Sequence, residues 1–131
     1  MKRDLRSNVD VAQTLAPAAR VNGTANGVTV DLQGYESAMF AFEAGAWTDG
    51  SHTPSIQHSD DGTTFVAAAA PDIQGAFAPV TSGTGQNAVQ RVGYVGSKRY
   101  VRGSVLTSGA TTGLVQSMAV VRSRARVSPL P

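Results

Sequence analysis

The stretch S-A-M-F-A-F-E-A at residues 37–44 constrains the fold more than any other. Ala38, Phe40 and Phe42 fall on one side of an extended chain, and Met39, Ala41 and Glu43 fall on the other. Strict alternation with two aromatics at i and i+2 is the period of a strand that buries one face. The same period recurs in V-T-V-D-L-Q at 28–33, V-Q-R-V-G-Y-V at 89–95, K-R-Y-V-R-G-S-V-L at 98–106 and L-V-Q-S-M-A-V-V-R at 114–122. No segment carries a helical period with a start and stop signal, so helix content is expected under about 15 %, against a base rate near a third. Short strands at regular spacing with turn chemistry between them predict an antiparallel β-sandwich.

The punctuation divides the chain further. D-D-G-T at 60–63 reads as the turn of a hairpin joining S-I-Q-H-S to T-F-V-A-A-A-A. Gly96-Ser97 reads as a two-residue type II′ hairpin turn, which makes the last three strands consecutive antiparallel neighbours. The stretch G-A-W-T-D-G-S-H-T-P reads as a loop that includes Trp47, and residues 71–87, rich in Pro and Gly, read as a long loop. Residues 1–26 show scattered apolar positions, a proline and no sustained period. A short helix over 8–15 competes there with an extended arm, and the arm is the preferred reading. The domain is then expected to span 27–131, with an arm that can be removed without unfolding it.

At 131 residues the chain supports one core. Charged residues are only 15 %, below the usual quarter, which suits a protein that either hides much of its surface in an assembly or presents a neutral polar face. The charge is divided along the chain. All nine acids and four bases precede residue 73, and seven bases with no acid follow it. A split of this kind can mark a nucleic-acid partner, but a sandwich interleaves its two halves, so complementary charge across a protein interface is the favoured reading. No apolar run is long enough for a membrane span, and the start M-K-R-D-L-R leads into no apolar stretch of a secretory signal. The absence of cysteine excludes disulfides and thiolate metal sites, and fits synthesis in a reducing cytoplasm.

Residues 58–65, H-S-D-D-G-T-T-F, hold the densest cluster of reactive side chains. Asp60 and Asp61 are neighbours, so an extended backbone points them to opposite faces and not at one shared proton. The alternating ligands and distal glutamate of a calcium loop are missing, and the glycine comes one residue early for the Asp-box of sialidases. A turn held by Asx side chains explains the stretch best. His52 and His58 lack a third nitrogen or sulfur ligand, so no metal, cofactor or catalytic residue is assigned. R-V-G-Y-V-G-S-K-R-Y-V-R at 91–102 interleaves bases with Tyr94 and Tyr100. It reads as cross-strand neighbours with edge-protecting charges in preference to a nucleic-acid ribbon.

The stretches at 33–65 (Q-G-Y-E-S-A-M-F-A-F-E-A through S-D-D-G-T-T-F) and 91–102 resemble small proteins encoded among the head genes of tailed bacteriophages and prophages. That resemblance implies a non-enzymatic virion structural protein. The expectation is a capsid decoration (cement) protein on the virion surface, assembled in the host cytoplasm, with a jelly-roll-like sandwich. It would bind the major capsid protein as a homo-oligomer, a trimer being favoured. A neck or tail component is the alternative, and a carbohydrate-binding sandwich using Trp47 comes from another class. Lys2, Arg3, Arg6 and Arg20 of the arm, with Arg99 and Arg102, are the expected partner-contact residues.

Overall fold

The computed structural model describes residues 4–123. Its strands are β1 (Val9–Arg20), β2 (Gly23–Asn26), β3 (Val30–Asp31), β4 (Ser37–Trp47), β5 (Ser51–Ser59), β6 (Val66–Ala67), β7 (Ile73–Gln74), β8 (Ala88–Tyr94), β9 (Tyr100–Ser108) and β10 (Leu114–Ser123). Two single 3-10 turns, Ala70–Asp72 and Gly83–Gly85, are the only helical elements among the described residues. The sheets are antiparallel, with five strands each. Sheet A runs β1-β10-β4-β8-β7; sheet B runs β2-β9-β5-β6, with β3 beside β2 on the same edge of β9. Counting β2 and β3 as one strand, the pairing order is that of a jelly roll, in which the first strand pairs with the last and the winding continues inward.

Alternation places the core as expected. Phe40 and Phe42 of β4 are fully buried with Val92 of β8 and Met118 and Val120 of β10, facing Val101 and Val105 of β9 and Ile56 of β5. Pro54 sits inside β5 without cost. His52 exchanges backbone bonds with Val80, and Ile56 accepts from Ala68, both on the side away from β9. Pro54 shares that orientation, so the ladder to β9 never needed its missing N–H.

Several expectations are corrected. Residues 9–26 are not an arm: β1 pairs with β10 along its length and buries Thr14 and Leu15, while β2 pairs with β9. Two irregularities, between Gln13 and Leu15 and between Leu15 and Ala18, break the alternation that would have revealed the strand. The boundary between 26 and 27 therefore falls inside the sandwich. Of the strand read at 28–33, only Val30–Asp31 is paired, and Val28 is exposed. Trp47 ends β4 and lies in no long loop, since only residues 48–50 separate it from β5.

Gly96-Ser97 is not a hairpin turn. β8 lies in sheet A and β9 in sheet B, so residues 95–99 carry the chain from one sheet to the other. Gly96 has no positive φ; it is small because a Cβ there would lie 2.5 Å from the Tyr94 hydroxyl. Tyr94 and Tyr100 are accordingly not cross-strand neighbours.

Candidate functional site: contact faces and buried polar links

The H-S-D-D-G-T-T-F segment is a turn built from its own side chains. Ser59 Oγ accepts from the N–H groups of Asp61 and Gly62 and donates to Asp61 Oδ1 at 2.7 Å. Asp61 Oδ1 also accepts from Thr63 and Thr64 N–H, and these backbone bonds hold its pKa down at about 2. Gly62 adopts φ +77, with the ring of Tyr100 at 3.5 Å from the place a Cβ would take. Asp60 points away to Lys98 Nζ at 2.6 Å. His58 faces the interior, where its Nδ1 lies 2.8 Å from the Tyr94 hydroxyl. The same oxygen accepts Lys98 N–H at 3.2 Å. Burial holds the phenol above its ordinary pKa, so Tyr94 keeps its proton. The histidine and the two carboxylates therefore do not converge on any common point.

His52 occupies a second buried link between the sheets. Its Nδ1 is 3.0 Å from Thr107 Oγ1 and its Nε2 is 2.9 Å from Asp49 O, with Gln116 of the opposite sheet 3.4 Å from Nδ1. Asp49 turns its carboxylate outward to the loop before β10. It accepts from Thr111, Thr112 and Gly113 N–H and from the Thr111 hydroxyl, which holds its pKa at about 2. Both histidines are structural links, and among the described residues no group of three His, Cys, Asp or Glu could hold a metal.

Of the expected partner-contact bases, the described ones, Arg6, Arg20, Arg99 and Arg102, do not assemble into one patch. Lys2 and Arg3 lie outside the described residues, as do Arg124 and Arg126. Arg6 precedes β1 and Arg20 ends it, a separation of roughly 40 Å along a strand rising ~3.3 Å per residue. Arg20 is half-buried and donates to Ala16 O at 2.6 Å, and burial lowers its pKa. Arg99 forms a bidentate pair with Asp31 at 2.9 and 2.8 Å, which raises its own pKa and lowers that of Asp31. Arg102 donates to Gln57 and stacks on Phe65 at 4.1 Å. Arg99 and Arg102 do share a corner with Lys98, but each is occupied within the chain.

The feature that residue-by-residue reading missed is the outer face of sheet A. Strand register brings Val11, Val121 and Met39 into one row and Gln13, Ala119, Ala41 and Arg91 into the next. Glu43 and Val89 follow, with Ser117 beside them. Val11, Val89 and Val115 are 63 %, 64 % and 46 % exposed. Among the described residues only Glu43 and Arg91 carry charge on this face, and they sit diagonally with no ion pair between them. Sheet B presents the opposite chemistry: Thr24, Asn26, Thr53, Ser55, Gln57, Ser104 and Arg102 point outward, with Leu106 as the apolar exception. The signal was present in the off-face residues of each alternating strand, but only the register aligns them.

Trp47 offers no exposed platform. It is half-buried against the core, donates Nε1–H to Gly50 O at 3.0 Å, and its backbone N–H meets Gln86. No protein-family model matches the chain, and no curated protein or solved structure matches it either.

Proposed function

We propose that this chain is a non-enzymatic virion structural protein of a tailed phage, bound to the outer lattice of the major capsid protein as decoration. The observation that carries the reading is the outer face of sheet A, where small apolar side chains from four strands form a nearly uncharged surface. Depletion of charge at the centre of a patch, with apolar and Met side chains enriched, is the composition of a buried contact. The jelly roll is a fold that viral shells use, and sugar-binding domains use it too, so it raises the prior without deciding it. The stretches that resemble phage head proteins pack as one corner: Tyr100 covers Gly62, Arg102 stacks on Phe65, and Lys98 pairs with Asp60.

The mechanism is attachment by area. A protein that binds assembled lattice and not free subunits stabilises the shell by mass action, and each bridge must break before the shell opens. Three copies about a local three-fold would set three such faces on neighbouring capsid subunits. The occupied state of Arg99 and Arg102 moves the expected contact away from those bases and onto sheet A.

The test is co-sedimentation with undecorated heads. Val11→Asp and Met39→Asp are expected to leave the β spectrum and melting temperature nearly unchanged and to abolish sedimentation. Thr53→Asp on the outer face of sheet B is expected to sediment as wild type. Wild-type protein that stays in the supernatant with heads but sediments with purified tails would move the role to the tail. Sheet A variants that sediment normally would refute the contact face.

A further inference from the structure

At the end of the sandwich where β3 leads to β4 and β8 leads to β9, residues 32–38 and 94–99 enclose an open cleft of about 570 Å³ with Gln74 on its rim. That volume lies within the ~300–1,000 Å³ typical of small-ligand sites. Its fixed charges are largely spent. Arg99 is held by Asp31 and Lys98 by Asp60, so among the described residues an anion meets no free cation on the wall, and Glu36 repels it. A lone carboxylate without further ligands makes no cation site. Leu32, Ala38 and Val95 are too few to line an apolar pocket.

What the wall does offer is uncommitted neutral polarity beside an aromatic ring. The side chains of Gln33, Gln74 and Ser97 and the phenol of Tyr35 make no hydrogen bond among the described residues, yet all line the cleft. Primary amides and hydroxyls both donate and accept, the capacity a ligand rich in hydroxyls requires of its partners. The Tyr35 ring is positioned beforehand. Arg122 stacks on it at 4.5 Å while donating to Asp31 O at 2.8 Å and pairing with Asp10. An amphipathic ring whose orientation is already set costs little entropy to engage.

From this geometry we infer that the cleft binds a neutral carbohydrate, a mono- or disaccharide unit of a larger glycan, with the Tyr35 ring as the apolar contact and Gln33 and Gln74 reading hydroxyls. The site lies at one end of the molecule and borders the outer face of sheet A at Ser37 and Gln74, leaving the rows of Ala41 and Glu43 free, so a particle-bound copy can use both. It is independent of the decoration role: loss of glycan binding would leave attachment to heads intact.

The experiment is a titration of ¹⁵N-labelled full-length protein, observed by amide chemical shifts, with maltose, lactose, cellobiose and diacetylchitobiose. Sialyllactose and inorganic phosphate serve as anionic probes. At least one neutral disaccharide is expected to give saturable shifts confined to residues 32–38, 74 and 94–99. Gln33→Ala and Gln74→Ala, both at exposed positions, are expected to weaken it roughly tenfold each, as loss of a hydrogen bond does. Tyr35→Ala is expected to abolish it, and if that variant unfolds the two glutamine variants still decide. Thr53→Ala should bind as wild type. No saturable shift with any neutral probe, saturation at another surface, or saturation with the anionic probes alone would each overturn the assignment.

Discussion

Thr14 offers the sharpest test of how the two sheets are joined. It is 1 % exposed, and it sits in the irregular part of β1, where the break in alternation turns its side chain toward sheet B. There its hydroxyl fills the gap between β2 and β3: Oγ1 accepts Gly103 N–H at 3.0 Å and donates to Val28 O at 2.8 Å. Gly103 turns this N–H and its carbonyl toward the same edge, where the carbonyl accepts from Gly27. Thr14→Val keeps the volume and removes the hydroxyl, which leaves the Gly103 N–H buried without an acceptor. That desolvation costs about 1–3 kcal/mol, while Val28 O lies on an exposed residue and recovers water. Thr14→Ser keeps both bonds and loses one methyl, about 0.8 kcal/mol. For a domain of this size 1 kcal/mol moves the midpoint by roughly 4 °C, so Thr14→Val should melt ~4–12 °C lower and Thr14→Ser ~3 °C lower. Thermal and urea melts followed by circular dichroism give the order, and amide exchange at Gly103 should quicken in Thr14→Val alone. A valine variant as stable as wild type, or a serine variant less stable than valine, would refute the bridging role.

The Asp49 and Asp61 carboxylates have folded pKa values of about 2 against an ordinary 3.8, so the stability they add is fully present above pH 4 and is lost as the pH falls toward 2. Asp49→Asn should flatten that acid limb in a series of melts and lower the melting temperature at neutral pH; an unchanged limb would discount the loop anchor. Gly62→Val should cost about 1 kcal/mol or more because φ +77 excludes a β-branched residue, whereas Asp60→Asn, which loses only an exposed ion pair, should cost under ~1 kcal/mol. Calcium-dependent melting abolished by either Asp60→Asn or Asp61→Asn would contradict the turn. Deletion of residues 1–20 removes β1 with Leu15 and Thr14, and should abolish cooperative melting; a truncated chain with a sharp transition would show that β1 is dispensable.

What the sequence made legible follows from how local each signal is. The buried face of β4 and the turn at 59–64 depend on neighbours within a few residues and appear in the structure as read, whereas the stretch read as a long loop at 71–87 holds the short strand β7 paired with β8. β1 was hidden because its inward residues are spaced irregularly: Ala12, then Thr14 and Leu15 together, with Pro17 in the weakened half. A period of two cannot be seen across two bulges. The turn at Gly96-Ser97 failed for another reason. Turn chemistry reports that the chain changes direction, not which sheet it enters next. The same limit hid the contact face, since Val11, Met39, Val89 and Val121 come from four strands and become a surface only through register. The cleft was invisible for the same cause, as its two walls lie about sixty residues apart.

The topology also explains the division of charge along the chain. A jelly roll closes from its two ends, so residues early in the sequence meet residues late in it. Asp10 stands opposite Arg122 in the register of β1 with β10. Asp31 stands opposite Tyr100, beside its partner Arg99. Asp60 follows Ser59, which is also opposite Tyr100, and meets Lys98. Each of these three ion pairs joins an acid of the first half to a base of the second. Exposed pairs such as Lys98–Asp60 and Arg99–Asp31 add only about 0–1 kcal/mol apiece, so their use is less in stability than in fixing which strands meet and in what register. A free N-terminal arm would have left Arg122 without Asp10 and β10 without a partner on its outer edge. Because Lys98, Arg99 and Arg122 serve the closure of the fold in this way, the attachment surface we propose lies where charge is scarce, on the outer face of sheet A.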